Sequence, residues 1–336
     1  MKTDSVSFDM QIYYRLIALW ILCEGVLGGM MHAVKIPFTG IVVSSGAVIC
    51  ISLIAYYVPI KGAILRATII VAVFKMLISP HTPPTAYIAV FFQGMMGQFL
   101  FFNLRFFRLS CILLAVFALV ESAIQRIIVL SVLYGNNFWK ATNEFVRSLT
   151  GETSATNYSM AVAMGYIMMH VFIGLIVGVF AGSIVWQSKS WSILHEEYLI
   201  PVAGENTALI TSAGKKKRKI KFLFVFIWIL LAALFIQSVF HIGRSLLPAN
   251  TILQIILRSL LVVLTWYFLI NPLLSALIKK WLARQQIRSS NDINQVALLL
   301  PSTKYIFLKS WELSAAAKGL KRLSVFCKIV LVNTLR

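Results

Sequence analysis

The sequence predicts an all-α, polytopic membrane protein. It expects a six-helix bundle, then two further transmembrane helices and a basic amphipathic cytoplasmic tail. Three observations predict this class. Of 336 residues, 59% are hydrophobic, and mean hydropathy is +0.84, above the range of soluble domains. Apolar runs recur at a length of about 20 residues, which as helix crosses a hydrocarbon core of roughly 30 Å. Alternating strands of about ten residues, the mark of an outer-membrane barrel, do not occur.

The spans follow from the apolar runs in order. The first covers residues 12–31, the second 41–58, the third 62–79 and the fourth 86–102. The fifth, 107–134, is long enough to tilt. A polar stretch, 135–157, separates it from the sixth, 158–186. A hydrophilic connector at 187–221 carries Lys215, Lys216, Lys217, Arg218, Lys219 and Lys221. Two more runs, 222–240 and 252–278, lead into a segment too charged to cross. This divides the chain into a six-span domain (1–188), a connector (189–221) and a two-span segment with its tail (222–336).

A net charge of +20 raises the question of nucleic acid. The cations cluster in loops beside the spans and near the C-terminus, which points to topology and anionic lipid. A basic cytoplasmic connector puts both termini in the cytoplasm and Lys61, Arg105 and Arg108 inside. It leaves His81 and the stretch 135–157 outside, with the outward Lys35 as an exception. The expected location is the cytoplasmic (inner) membrane. No cleavable leader is expected, because the first apolar run lacks a small-residue cleavage site.

Charged groups inside spans cost about 2.5–3.5 kcal/mol each on insertion scales and need partners, water or ligand. Glu24, Lys75, Gln93, Arg126 and His170 are expected between mid-depth and the outer surface, on five different spans. The outer loops add His32, Lys35 and Thr39, and then His81 within SPHTPPT. Pro80, Pro83 and Pro84 stiffen that second loop, and Tyr87 starts an aromatic wall behind it. A polar rim over an apolar wall is how small-molecule sites are built, and the cations favour an anionic ligand. The same residues also fit a plainer reading, in which Glu24–Lys75 and Glu121–Arg126 are ion pairs that fix helix packing.

Small residues at four-residue spacing allow close helix approach. Gly25 with Gly29, and Gly174 with Gly178 and Gly182, are candidates for internal packing or a partner helix. Cys23, Cys50, Cys111 and Cys327 form no C-x-x-C pair and read as packing residues. There is no P-loop: GKKKRK lacks the leading glycine and the hydroxyl. HEEY (195–198) lacks a second spaced histidine, so no metal or cofactor is expected. No constellation supports an enzyme. The tail, 300–335, carries a partial apolar stripe with lysines opposite. It reads as a basic amphipathic helix, or two, on lipid or on a soluble partner.

The first part resembles the substrate-binding (S) component of energy-coupling factor (ECF) vitamin importers. The resemblance covers residues 13–186: six spans, both ends inside, a lid-like first outer loop, and KIPFTG (35–40) followed by a small-residue helix start. It implies capture of a vitamin or related nutrient from the outer side. It also implies a coupling subunit that meets small residues on the first helix, here Gly25 and Gly29. The second part resembles, more faintly, the transmembrane coupling (T) component, whose Ala-Arg-Gly motif enters an ATPase groove. Ala317, Lys318 and Gly319 stand in the comparable place, with lysine losing the planar fork of arginine.

The expected function is therefore a membrane transport component that binds a small nutrient and imports it with partner ATPases. A membrane anchor whose tail recruits a soluble partner is the alternative. A lipid-modifying enzyme using Glu24 or His170 is a third.

Overall fold

The computed structural model describes residues 3–33, 39–78, 84–151, 158–194, 196–201, 226, 229, 233 and 251–335. Pro80, Pro83 and the lysines at 215–221 fall outside them, as does nearly all of the run 222–240, while Pro84 opens α5. Every regular element among the described residues is helical. They are α1 (Thr3–Ile21), α2 (Gly28–Ala33), α3 (Thr39–Tyr57), α4 (Ala63–Ile78), α5 (Pro84–Leu100), α6 (Phe107–Tyr134), α7 (Asn136–Thr150), α8 (Ser159–Leu194), α9 (Thr251–Thr265), α10 (Asn271–Arg288), α11 (Ser290–Leu313) and α12 (Gly319–Leu335). A π-helical segment, Leu22–Leu27, joins α1 to α2 with helical backbone at both ends.

Three of the described helical stretches are long and apolar enough to cross a membrane: Thr39–Tyr57, Leu104–Tyr134 and Ser159–Ser188. The stripe Met164, Met168, Phe172, Leu175 and Val179 runs down one side of α8 and is exposed. Water disfavours such a row and hydrocarbon does not. At 16 and 17 residues, α4 and α5 are about 24–26 Å long, shorter than a perpendicular crossing. The count of six plus two spans is thus finer than helix length supports.

The contacts group the chain into two compact units that do not follow the linear division expected from the connector. The first comprises Met1–Ser122, His170–Thr211 and Lys279–Arg336. Its axis is α1, where every residue from Leu16 to Ile21 is buried. Helices α3, α4, α11 and α12 pack on it. Lipid tails are as apolar as leucine, so packing and polar ties decide which helices pair. The ties are specific. Tyr13 donates to the Ala63 carbonyl at 2.8 Å, and Tyr57 meets Ser188 at 2.8 Å. Asp292 on α11 is 2% exposed; it accepts from Tyr14 at 2.8 Å and pairs with Arg66 at 2.6 Å.

Glycine sets the spacing of α6 and α8. A Cβ on Gly174 would stand 2.9 Å from Val116 Cα, and one on Gly178 would collide with Ile112 Cα. These glycines are internal packing residues.

The tail, expected as one basic amphipathic helix or two, is two helices, α11 and α12, joined by a short turn and packed on each other. Phe307 and Trp311 meet Phe326 edge-on at 5.1 and 5.5 Å, and the Arg322 guanidinium sits 4.2 Å over Trp311. Asn333 ties α12 to the chain after α8, accepting from Ile200 N at 2.9 Å and donating to the Tyr198 carbonyl at 2.8 Å. The packing of α11 and α12 on α1 buries Ile293, Val296, Leu300, Ile329 and Val332. Those buried positions lie off the expected stripe, of which Leu308, Trp311, Leu313 and Leu323 are exposed.

The second unit comprises Ala123–Met169 and Ser212–Ile278. It contains the end of α6, all of α7, the start of α8, and α9. Asn143 on α7 caps α8 by accepting from Ser159 N at 2.6 Å. Ser259 on α9 donates to the Leu133 carbonyl at 3.1 Å. The stretch expected to be a polar loop is largely helix α7.

Candidate functional site

The sequence singled out Glu24 because it interrupts an apolar run, and the π segment is where it lies. The extra residue of a π turn re-aims side chains and often marks a functional position. Glu24 and Lys75 are 6% and 8% exposed. Lys75 Nζ stands 2.7 Å from Glu24 Oε2 and makes a longer contact of 3.3 Å to the Ala86 carbonyl. One ion pair therefore ties α1's extension to α4 and to the first turn of α5. It lies about eleven residues, roughly 16 Å of helix, beyond the Tyr13–Ala63 contact along α1.

Helix α5 buries a stripe of Tyr87, Val90, Gln93, Gly94 and Gly97. Gln93 is 1% exposed, and its Nε2 donates to Ser44 Oγ on α3 at 3.1 Å. Gln93 Oε1, Tyr87 OH and Trp20 Nε1 are buried with no partner. Leaving such a group unpaired costs about 1–3 kcal/mol, so each is a place where a water or a ligand group gains. The π segment, α3, α4 and α5 pack against one another. The result is a small buried region with one neutralised ion pair, one bound amide and open hydrogen-bonding capacity.

Among the expected site residues, Glu24, Lys75, Tyr87 and Gln93 are brought into this region, and Thr39 is buried at the start of α3. His170 is buried in the same unit, on α8. Arg126 is exposed and belongs to the second unit. Lys35 and His81 lie outside the described residues; His32 is in α2, with its side chain outside them. A shallow open depression of about 630 Å³ lies elsewhere, on the cheek of α4 and α5 lined by Leu65, Met95, Phe99 and Phe102. It carries none of the expected site residues.

The expected partner-binding residues separate. Gly25 is occupied within the chain, since a Cβ there would meet Ile78 at 3.6 Å. Gly29 is exposed with nothing within 4 Å. Ala317 and Lys318 are not inside a helix: Ala317 is extended, and the chain turns at Gly319, φ 59°. That left-handed conformation favours glycine and makes the trio the turn of the hairpin, with Lys318 and Gly319 exposed.

Sequence reading missed Ser44 and Asp292. Ser44 carries no signal of its own in a run of small residues. Asp292 does: no other acidic residue lies between Lys279 and Trp311, and a lone carboxylate in a basic segment asks for a buried cation. The Cys23 sulfur would lie 3.1 Å from a Cβ on Gly46; all four cysteines are free.

What fold and site define is a class: an all-helical protein, built for embedding in a membrane, with polar groups buried inside an apolar bundle. Comparison with protein-family models, with curated proteins and with solved structures finds no match.

Proposed function

We propose that the chain is a membrane transport component that binds a small nutrient from the outer side and passes it inward with the help of partner ATPases. The observation that carries this reading is the pair of unpartnered buried acceptor and hydroxyl groups on α5, Gln93 Oε1 and Tyr87 OH, seven residues and one residue from Ala86, whose carbonyl meets Lys75. Oriented polar groups against apolar walls are what a small-ligand site requires. Lys75 is already neutralised by Glu24, so attraction for an anionic ligand falls to Lys35, His32 and His81. The topology that goes with this reading has six spans before the connector, two after it and both termini in the cytoplasm of a cytoplasmic membrane. Gly29 is then the open small residue on the first helix that a coupling subunit would meet.

Native mass spectrometry of gently extracted protein tests the proposal. The wild-type chain should carry a small molecule whose occupancy drops in Gln93→Leu, Lys35→Ala and His81→Ala, each remaining monodisperse. Undiminished occupancy in all three removes the site. One observation favours a second reading, a membrane anchor or assembly protein: the Glu24–Lys75 pair is satisfied without any ligand. Co-purifying P-loop ATPases support transport; a complex without them supports the anchor.

A further inference from the structure

We propose that α7 is an interfacial helix that lies in the headgroup region of the bilayer, with its apolar side against lipid. At 100° per residue, its fifteen residues sort into two arcs, with Thr142 the one polar residue inside the apolar arc. Ala141, Phe145, Phe138, Leu149 and Val146 share one side, with Trp139 at its edge. Asn136, Lys140, Glu144, Arg147 and Ser148 share the other. A helix with this division and no long apolar run lies on a membrane instead of crossing it. No residue of α7 is buried. Phe138, Trp139 and Val146 are half-buried, but Phe145 is 63% exposed and Leu149 is 71% exposed, so among the described residues the outer part of the apolar side is uncovered.

What covers it follows from how α7 is tethered. Only Gly135 separates it from the end of α6, and it closes at Gly151. The turns are made by Gly135, φ 59°, and Gly151, φ 68°. Asn143 then binds the first amide of α8. Helices α6 and α8 are two of the three long enough to cross a membrane, so a helix strapped between their ends has nowhere to lie but the bilayer surface. Exposed apolar residues continue on both neighbours, Ile128 and Val132 on α6 and Met160 and Met164 on α8. The lipid that covers those reaches α7 without interruption. Lys140, exposed on the polar arc, stands at the depth of lipid phosphates. The inference rests on α6 and α8 crossing the membrane, and not on the proposed ligand.

The test uses the wild-type chain in lipid nanodiscs doped with a phospholipid carrying a diazirine near the carboxyl end of an acyl chain. After irradiation, peptide mass spectrometry locates the adducts. Phe138, Phe145 and Leu149 should be labelled and Lys140 and Glu144 left unlabelled, with Phe172 on α8 labelled as the internal reference. Label on Phe172 but none within residues 136–150 overturns the proposal and assigns the apolar arc to a protein partner or to water. Equal label around α7 also overturns it. Absence of label on Phe172 removes the membrane crossing of α8, and the proposal with it.

Discussion

Removing Lys75 should destabilise the first unit strongly, and removing both members of its ion pair should not. At 2.7 Å and an effective dielectric of 20, the Glu24–Lys75 attraction is about 6 kcal/mol. Desolvation of two largely buried groups offsets much of it, so the pair's net contribution is small. Truncating one partner is different, because it strands a charge: the cost is about 3–5 kcal/mol. Lys75→Met keeps the length of the side chain and strands Glu24; Glu24→Gln strands Lys75. The double variant strands neither and keeps the packing of the π segment against α4. Thermal unfolding in detergent, followed by intrinsic fluorescence with gel filtration alongside, reads all four proteins. Each single variant should lose several kcal/mol and the double should recover most of it. Losses that simply add would show that the two charges do not see each other, and the argument for an organised polar centre would fail.

Three further outcomes follow from the packing. Asp292→Asn weakens the Arg66 and Tyr14 bonds that hold α11 to α1; because Arg66 is half exposed, the loss should be about 1.5–3 kcal/mol, read as faster proteolysis between α10 and α12. Gly178→Leu forces α6 from α8 and should cost at least 1–3 kcal/mol. The open site gives the contrast, as Gly29→Ala should stabilise by about 0.5–1 kcal/mol through helix propensity alone; equal losses at both glycines would contradict the spacing role assigned to α8.

Much of the site was legible because burying charge in an apolar run is costly enough to be seen in one dimension. Glu24 and Lys75 stand out against their neighbours, and the apolar wall behind Tyr87 follows from the run itself. Gln93's partner did not stand out, since Ser44 is one of several small polar residues whose helix face depends on the rotation of α3. The tail's break was hidden for a related reason. Residues 300–335 read as one amphipathic helix or two, and only Gly319's left-handed turn and the Phe326 contacts fix where the two part and how they meet. Helix α7 was passed over as polar because its average is polar; its two arcs appear only when the residues are wound at 3.6 per turn.

By itself the sequence determined the helical class, the apolar lengths and which side chains are too polar for their surroundings, because those depend on composition along the chain. Which helix lies beside which was decided in three dimensions. Apolar surfaces are nearly interchangeable in a lipid-like setting, so α1 takes α11 and α12 as neighbours through a few specific ties: one carboxylate at Asp292, one amide at Asn333, and glycines placed where backbones meet.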